Sequence, residues 1–148
     1  TQNESCGKCT FCRLGTKRML EILERITEGK GVEEDIDILM DLAVKIKNGS
    51  LCGLGQTAPN PVITTLQYFR EEYEAHIRDK KCPAHSCAAL IEYCIDPSAC
   101  EGCGVCLRDC PTNAITGEKR GVHSIDIALC IKCGKCFDVC KFDAVIKN

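Results

Sequence analysis

The sequence predicts an α+β chain of several small domains, with helices in its first half and short cysteine-rich elements in its second. Two observations lead to this prediction. Up to about residue 78, apolar residues recur every three or four positions, which is the spacing of helices that bury one face. From residue 96 onward, short apolar pieces alternate with two similar cysteine runs, and such internal repetition indicates a duplicated metal-binding half. We therefore divide the chain into residues 1–78, a connector at 79–95, and residues 96–148.

The charge balance and the hydropathy exclude two classes of protein. Nineteen Lys and Arg stand against twenty-one Asp and Glu, so the chain lacks the basic excess of a protein that binds nucleic-acid phosphates. No apolar run approaches the roughly 18 residues of a membrane-spanning helix. Because residue 1 is Thr rather than Met, we expect the chain to be a piece of a longer protein.

The cysteine content is the most unusual feature of the composition. Fifteen of 148 residues are Cys, a level typical of disulfides in secreted proteins or of metal binding in cytoplasmic ones. The count is odd, no signal peptide is present, and most of the cysteines form CxxC pairs. Two thiols on such a tight turn can share a metal, whereas a disulfide framework spreads its cysteines along the chain. The sequence thus predicts a cytoplasmic metal-binding protein.

Three helices are predicted in residues 1–78. They cover Leu14 to Thr27, Glu33 to Lys47, and a segment that begins at Asn60 as cap with Pro61 in the first turn. The apolar face of each helix is expected to form the core of a small helical bundle. These faces are, in order, Leu14, Leu20, Leu23 and Ile26; Ile36, Leu39, Leu42, Ala43 and Ile46; Val62, Leu66, Phe69, Tyr73 and Ile77.

A CxxCxxCxxxC run, the ligand pattern of bacterial ferredoxins, occurs twice after residue 96. Pro111 follows the first run, as the pattern expects, and Lys141 takes that place in the second. Because the last cysteine of each run serves the other cluster in two-cluster ferredoxins, the pattern predicts two [4Fe-4S] sites in a βαββαβ-like domain. The predicted ligands are Cys100, Cys103, Cys106 and Cys140 for one cluster, and Cys130, Cys133, Cys136 and Cys110 for the other. The alternative is a pair of zinc ribbons, which normally separate two CxxC pairs by a longer loop.

A third group, CGKCTFC, supplies Cys6, Cys9 and Cys12 without a fourth ligand, and Cys52 is the next cysteine along the chain. The segments ESCGKCTFCRLGTKRMLEILERITEGKG and SLCGLGQTAPNPVITTLQYFREEYEAHI resemble the C-terminal region of the NADH-binding flavoprotein subunit. That subunit occurs in respiratory complex I and in NAD-dependent and electron-bifurcating [FeFe]-hydrogenases. The resemblance implies that these four cysteines hold a [4Fe-4S] cluster close to FMN. Phe11 stands where the family usually has proline.

The two-cluster domain that follows is similar to the hydrogenase β subunits rather than to the complex I subunit. The resemblance therefore implies an electron conduit of three [4Fe-4S] clusters within an NAD(P)-linked oxidoreductase. It places FMN and NAD(P) in a preceding part of the longer protein. The implied partners are a hydrogenase-like α subunit, a thioredoxin-like [2Fe-2S] γ subunit and ferredoxin. The alternatives are a zinc-only interaction module and an autonomous ferredoxin-like carrier.

The connector at 79–95 holds Cys82, His85, Cys87 and Cys94. Three thiolates and one imidazole are a complete ligand set for tetrahedral zinc, and a metal would order a segment with little core of its own. We predict a zinc-binding hinge here. The alternatives are cysteines without a metal, a fourth iron–sulfur cluster, and replacement of His85 by His76 as the ligand.

Two further features have ordinary interpretations. Gly53, Gly55 and Ala58 form a G-x-G-x-x-A pattern, but no strand precedes it, so it lacks the setting of a dinucleotide site. His123 lies in the loop between the two cysteine runs, and we expect it to be solvated.

Overall fold

Seven α-helices and four short β-strands make up the computed structural model, which describes residues 1–148. The predicted mixture of helices and small sheets is confirmed. The chain forms two units, Thr1–Pro83 and Ala84–Asn148, and their boundary falls within the predicted connector. None of the helices has the length and apolar character needed to cross a membrane.

The first unit is helical throughout. Its elements are a 3₁₀ turn at Gln2–Glu4, a π-helical turn at Phe11–Gly15, α1 at Thr16–Thr27, α2 at Glu34–Gly49, α3 at Gly53–Thr57, α4 at Asn60–Tyr68, α5 at Arg70–Glu74 and a second π-helical turn at Ala75–Asp79. Ten buried apolar residues from α1, α2, α4 and the second π-helical turn form its core. The G-x-G-x-x-A pattern lies mostly in the short helix α3, so it does not form a strand–turn–helix unit.

The buried face of α1 differs from the predicted one. Leu14 is 53% exposed and Leu20 is 42% exposed, whereas Met19, Ile22 and Ile26 are buried. The π-helical turn at the start accounts for the difference, because its extra residue per turn rotates the face that continues into α1. The buried face therefore runs from Cys12 and Gly15 of the turn into α1, where the predicted Ile26 is buried and the predicted Leu23 is partly buried against the same core.

Helix α2 buries the predicted face. Ile36, Leu39, Ala43 and Ile46 are all buried, and Leu42 is partly buried against the same core. This spacing of three and four residues is the ordinary pattern of an amphipathic helix, and no irregularity interrupts it.

The third predicted helix is interrupted. Phe69 has φ −130° and ψ 35°, outside the helical region, and its side chain is 55% exposed, so α4 ends at Tyr68 and α5 begins after the break. Asn60 is the first residue of α4 rather than its N-cap, and Pro59 takes the N-cap position. The expected single apolar stripe therefore loses Phe69, although Val62, Leu66 and Ile77 on either side of it are buried.

The second unit contains two antiparallel strand pairs and two short helices. Its elements are β1 at Tyr93–Ile95, α6 at Val105–Asp109, β2 at Ile115–Thr116, β3 at Ser124–Ile125, α7 at Lys135–Asp138 and β4 at Val145–Lys147. Strand β1 pairs with β4 and β2 pairs with β3. The first and last strands of the unit thus pair, while its two middle strands form a hairpin.

The thirty-residue repeat of the sequence is also a repeat of the structure. The Asp96 amide donates to the Ala144 carbonyl at 2.7 Å, and thirty residues later the Asp126 amide donates to the Ala114 carbonyl at 2.7 Å. Both alanines are buried, which explains why each half has a small residue at that position. The two halves therefore cross over, and each contributes backbone contacts to the other.

Candidate metal centres

Cysteines from both halves of the repeat surround each of two cavities in the second unit. Cys140 from the second run lines one cavity together with three cysteines of the first run, Cys100, Cys103 and Cys106. Cys110 from the first run lines the other together with three cysteines of the second run, Cys130, Cys133 and Cys136. The structure thus brings together the same two sets of four cysteines that the run pattern predicts.

The backbone around these cysteines curves tightly. Gly104 and Gly134 adopt left-handed conformations with φ near 75°, and Gly102 (φ 67°) and Lys132 (φ 57°) form a second left-handed pair related by the repeat. Only glycine fits at position 102, because a Cβ there would lie 2.5 Å from the backbone of Gly121. These turns allow three closely spaced sulfurs to face one cavity.

Several N–H groups donate to the cysteine sulfurs. The Lys132 amide donates to Cys130 Sγ at 3.4 Å, and the Ala114 amide donates to Cys110 Sγ at 3.3 Å. Although burial raises the pKa of Cys110, the amide and hydroxyl bonds to its sulfur outweigh burial, so its pKa lies below the ordinary thiol value. Such donors stabilise thiolate charge and so favour metal-bound sulfur.

Cys136 shows the opposite balance. Burial raises its pKa to about 11, and the nearby Cys130 sulfur adds to the increase. Without a metal this thiol stays protonated at neutral pH, so cluster binding must displace its proton. Four cysteines around an apolar-walled cavity are a donor set for a soft metal centre, and these residues fit a [4Fe-4S] cluster.

The first unit places Cys12 and Cys52 on neighbouring elements. Cys12 is buried in the π-helical turn, and Cys52 immediately precedes α3. Helix α3 lies against the turn, because a Cβ on Gly55 would be 3.2 Å from Cys12 Cβ. Cys6 and Cys52 are exposed, Cys9 is half-buried and Cys12 is buried.

Two serine hydroxyls lie in the same region. Ser5 Oγ is 3.4 Å from Cys12 Sγ. Ser50 Oγ is buried without a hydrogen-bond partner, and it borders the same face of Gly55 as Cys12 does. A buried hydroxyl that lacks a partner indicates an acceptor outside the protein. The sulfur atoms of a cluster held by Cys6, Cys9, Cys12 and Cys52 would supply one, so these residues fit that group.

The connector brings different residues together from those expected. His85 is exposed in a left-handed turn, and Cys94 lies in β1, where Asn148 Nδ2 donates to its sulfur at 3.1 Å. Within the first unit, His76 and Cys82 are buried with their candidate ligand atoms within 4.8 Å of each other. His76 Nδ1 donates to the Glu72 carbonyl, at 2.6 Å, which orients Nε2 as the metal-binding nitrogen.

The expectation that His123 is solvated is wrong. Its side chain is only 3% exposed, it lines the cavity of Cys100, and its Nδ1 lies 3.9 Å from Cys100 Sγ. The repeat itself contained the signal, because His123 lies thirty residues after Tyr93, which is buried beside the other cavity. Two equivalent positions in a duplicated fold should have similar burial.

Comparison with known protein families decides the relationship. Residues 1–76 match the NADH-ubiquinone oxidoreductase-F iron-sulfur binding region, and residues 99–144 match the 4Fe-4S dicluster domain. The chain belongs to the NADH-ubiquinone oxidoreductase-F iron-sulfur binding family. The resemblance found in the sequence is therefore confirmed, and the matches support [4Fe-4S] binding in both units.

Individual relatives of this family cover the chain to different extents. The NADP-reducing hydrogenase subunit HndC of Solidesulfovibrio fructosivorans is 58% identical over all 148 residues, which are 30% of its own length. An NADH-quinone oxidoreductase subunit of Streptomyces coelicolor is 49% identical over 81 residues, 55% of this chain and 18% of its own length. The NADP(+)-dependent formate dehydrogenase subunit beta of Moorella thermoacetica is 40% identical over 78 residues, 53% of this chain and 11% of its own length. The chain thus spans less than a third of each of these relatives.

Proposed function

We propose that this chain relays single electrons through three [4Fe-4S] clusters within a larger NAD(P)-linked oxidoreductase. The observation that supports the proposal best is the crossed arrangement of the second unit, where each cavity has three cysteines from one run and one from the other. A crossed set is the ligand arrangement of two-cluster ferredoxins and not of a pair of zinc ribbons. The third cluster is assigned to Cys6, Cys9, Cys12 and Cys52.

When bound, a [4Fe-4S] cluster accepts or gives up one electron with little rearrangement. The residues of this chain supply the surroundings that such transfer needs. The buried residues Ala144 and Val145 form part of the apolar wall of one cavity. At the other cavity, the amides of Lys132 and Ala114 donate to the sulfurs of proposed ligands. N–H donors and solvent exclusion both affect the reduction potential of a cluster. These residues therefore influence which cluster holds the electron.

The proposal also includes zinc in the connector. We assign His76 and Cys82 as ligands, because their ligand atoms lie within 4.8 Å of each other in the first unit, and we keep Cys87 and Cys94 as the other two by their positions in the sequence. His76 replaces His85 because its imidazole is buried and held by the Glu72 carbonyl. Three thiolates and one imidazole leave no open coordination position, so the proposed zinc is structural and the segment remains a candidate hinge.

The relatives' names support the larger setting. They are subunits of an NADP-reducing hydrogenase, of NADH-quinone oxidoreductases and of a formate dehydrogenase. We therefore propose that FMN and NAD(P) bind elsewhere in the longer protein and that the first cluster exchanges electrons with the flavin. The second unit would pass electrons to ferredoxin or to a hydrogenase-like α subunit, with a thioredoxin-like [2Fe-2S] γ subunit in the same complex.

Metal analysis of anaerobically purified protein tests the proposal. We expect about twelve iron, twelve acid-labile sulfide and one zinc per chain. Cys52→Ser should lose about four of the iron atoms, since a cluster needs all four thiolates. Leu51→Ser is the matched control, because Leu51 is the exposed neighbour of Cys52 and offers no sulfur. About eight iron in the unaltered chain would contradict the third cluster, and zinc without iron would support a zinc-only module instead.

A further inference from the structure

The two cavities of the second unit have different aromatic side chains at one equivalent position. Tyr93 lines the cavity of Cys130, Cys133 and Cys136, whereas His123 lines the cavity of Cys100. The two positions are thirty residues apart, which is the period of the repeat, so they are equivalent places in a duplicated fold. The duplication therefore keeps the cysteines the same and changes the side chain beside them.

The surroundings of His123 hold its ring against Cys100. The imidazole is 3% exposed, and a Cβ on Gly117 would lie 2.8 Å from ring carbon Cδ2, so only glycine at 117 leaves room for the ring. Nδ1 lies 3.9 Å from Cys100 Sγ, a long contact that is within reach for the large sulfur atom. A metal-bound thiolate carries no proton, so in this pair the sulfur accepts and the ring nitrogen donates.

Tyr93 makes a different contact with its cavity. Its ring packs at an angle against Phe137, with centroids 6.3 Å apart, and its hydroxyl points to the backbone at Gly134. The pKa of Tyr93 is raised by burial and by the neighbouring Cys136 sulfur, so the phenol is neutral at physiological pH. The ring at this position thus shields the cavity from water with its apolar body.

We propose that His123 makes the two clusters of the second unit unequal, by donating an N–H···S bond to Cys100 that favours reduction of the cluster beside it. The inference rests on the proposed function, because it requires both clusters. Reduction adds one electron, and thus one negative charge, to a cluster and its four thiolates; no bond breaks and no proton moves. A donor to a ligand sulfur stabilises that added charge and raises the reduction potential. This bond therefore increases the share of the electron that the cluster of Cys100, Cys103, Cys106 and Cys140 holds.

Anaerobic redox titration of the cluster-loaded chain, followed by EPR, tests this positioning role. His123→Phe keeps an aromatic ring and removes the donor, so we expect the equilibrium constant for one reduction step to fall between threefold and about tenfold. Tenfold corresponds to 59 mV for one electron. His123→Asn places an amide nitrogen near the position of Nδ1, and it should keep that step within about twofold of the unaltered protein. A role in packing alone would instead make both variants shift alike, and that result would overturn the proposal.

Tyr93→Phe at the equivalent position is the matched control. It removes a hydroxyl beside the other cluster, and we expect the step that His123→Phe shifts to stay within about twofold. If Tyr93→Phe moves that same step as far as His123→Phe does, the effect is not local and the proposal is wrong. Iron content separates this proposal from the proposed function. Full iron with no shift contradicts only the role of His123, whereas missing iron in the unaltered chain contradicts the clusters themselves.

A second measurement does not depend on a variant that loads clusters. In unaltered protein with ¹⁵N-labelled histidine, pulsed EPR of the reduced chain should detect a ¹⁵N coupling from the ring to a cluster. The coupling is expected because a hydrogen bond to a ligand sulfur carries spin density to the donor. If no histidine nitrogen couples to any reduced cluster, the N–H···S bond is absent and the proposal fails.

Discussion

Asp35 is the fully buried carboxylate of the first unit, and Arg25 is its partner. Arg25 donates to both carboxylate oxygens, with Nε at 3.2 Å from Oδ2, and the Val32 amide donates to Oδ2 at 3.0 Å. Asp35 is 0% exposed and Arg25 is 36% exposed, so the pair spans from the core to the surface. Removing the arginine would leave a buried charge with a single amide donor.

We predict that Arg25→Met lowers the free energy of unfolding of the first unit by about 3 kcal/mol, the usual cost of leaving a buried ion without its partner. Arg18→Met is the matched control. Arg18 lies on the same helix and pairs with Glu21 at 3.2 Å, but both side chains are about half exposed, so its loss should cost less than about 1 kcal/mol. Anaerobic denaturant titration measures both values. If the two variants lower the free energy of unfolding equally, the buried Arg25–Asp35 pair contributes no more to stability than the exposed Arg18–Glu21 pair.

The zinc proposal makes a prediction at single residues. His76→Ala should lower the zinc content from about one to near zero per chain, because it removes the only imidazole proposed as a ligand. His85→Ala should retain the zinc, since that side chain is exposed in a left-handed turn. Metal analysis of the two purified variants distinguishes them. Loss of zinc with His85→Ala alone would instead support the ligand set that the spacing of the connector predicts.

The sequence predicts the cysteines around the two cavities better than it predicts the histidines that the fold brings close to cysteines. The eight cysteines around the two cavities follow from spacing, because each run of the ferredoxin pattern places three thiolates close together and contributes its last cysteine to the other set. His76 and His123 do not follow from spacing. Each is brought to a sulfur by the fold, from a helix in one case and from a loop in the other, and neither belongs to a local motif.

Gly15 determines how closely two elements of the first unit approach. It ends the π-helical turn, and a Cβ at this position would lie 2.5 Å from Ile46 Cγ1 of α2. The side chain of Ile46 is fully buried in the core. The absence of a side chain at residue 15 is therefore what brings the cysteine-bearing turn onto α2.

We predict that Gly15→Ala destabilises the first unit by about 1–3 kcal/mol, the range for overpacking a filled core. Gly53→Ala in α3 is the control, because nothing lies within 4 Å of its Cβ position. That substitution should be neutral or stabilise the unit by up to about 1 kcal/mol, since alanine loses less backbone entropy in a helix. Thermal unfolding under anaerobic conditions compares the two. If both variants are equally stable, α2 shifts away from residue 15 with little loss in the free energy of unfolding.

Regular elements were predictable and irregular ones were not. The face of α2 follows from its apolar spacing because the helix is uninterrupted. The face of α1 does not, because the π-helical turn changes the phase, and no residue pattern in the sequence specifies such a turn. The break at Phe69 is similar: the apolar stripe continues across it, and only the backbone angles of the folded chain reveal it.

The two units differ as whole structures in how much apolar core they contain. The first unit buries ten apolar residues in one cluster, whereas the cluster in the second consists of Ile91, Tyr93 and Val145, with the partly buried Ile95, Ile125, Cys136 and Cys140 packed against it. Strands of two and three residues contribute little stability by themselves. The second unit therefore depends on its proposed clusters for its fold, and the first unit depends on them much less.

We predict that anaerobic removal of iron by a chelator unfolds residues 84–148 and leaves α1 and α2 folded. Metal binding and folding are coupled where a protein core is too small to be stable alone, and this applies to the second unit. Hydrogen exchange measured by mass spectrometry should show amides of β1–β4 exchanging as in an unfolded chain, while amides of α1 and α2 stay protected. The Cys52→Ser variant is the control, because it removes only the cluster assigned to the first unit and should leave the second unit protected. Protection of β1–β4 in the iron-depleted chain would show that the small apolar core of the second unit suffices to hold it together.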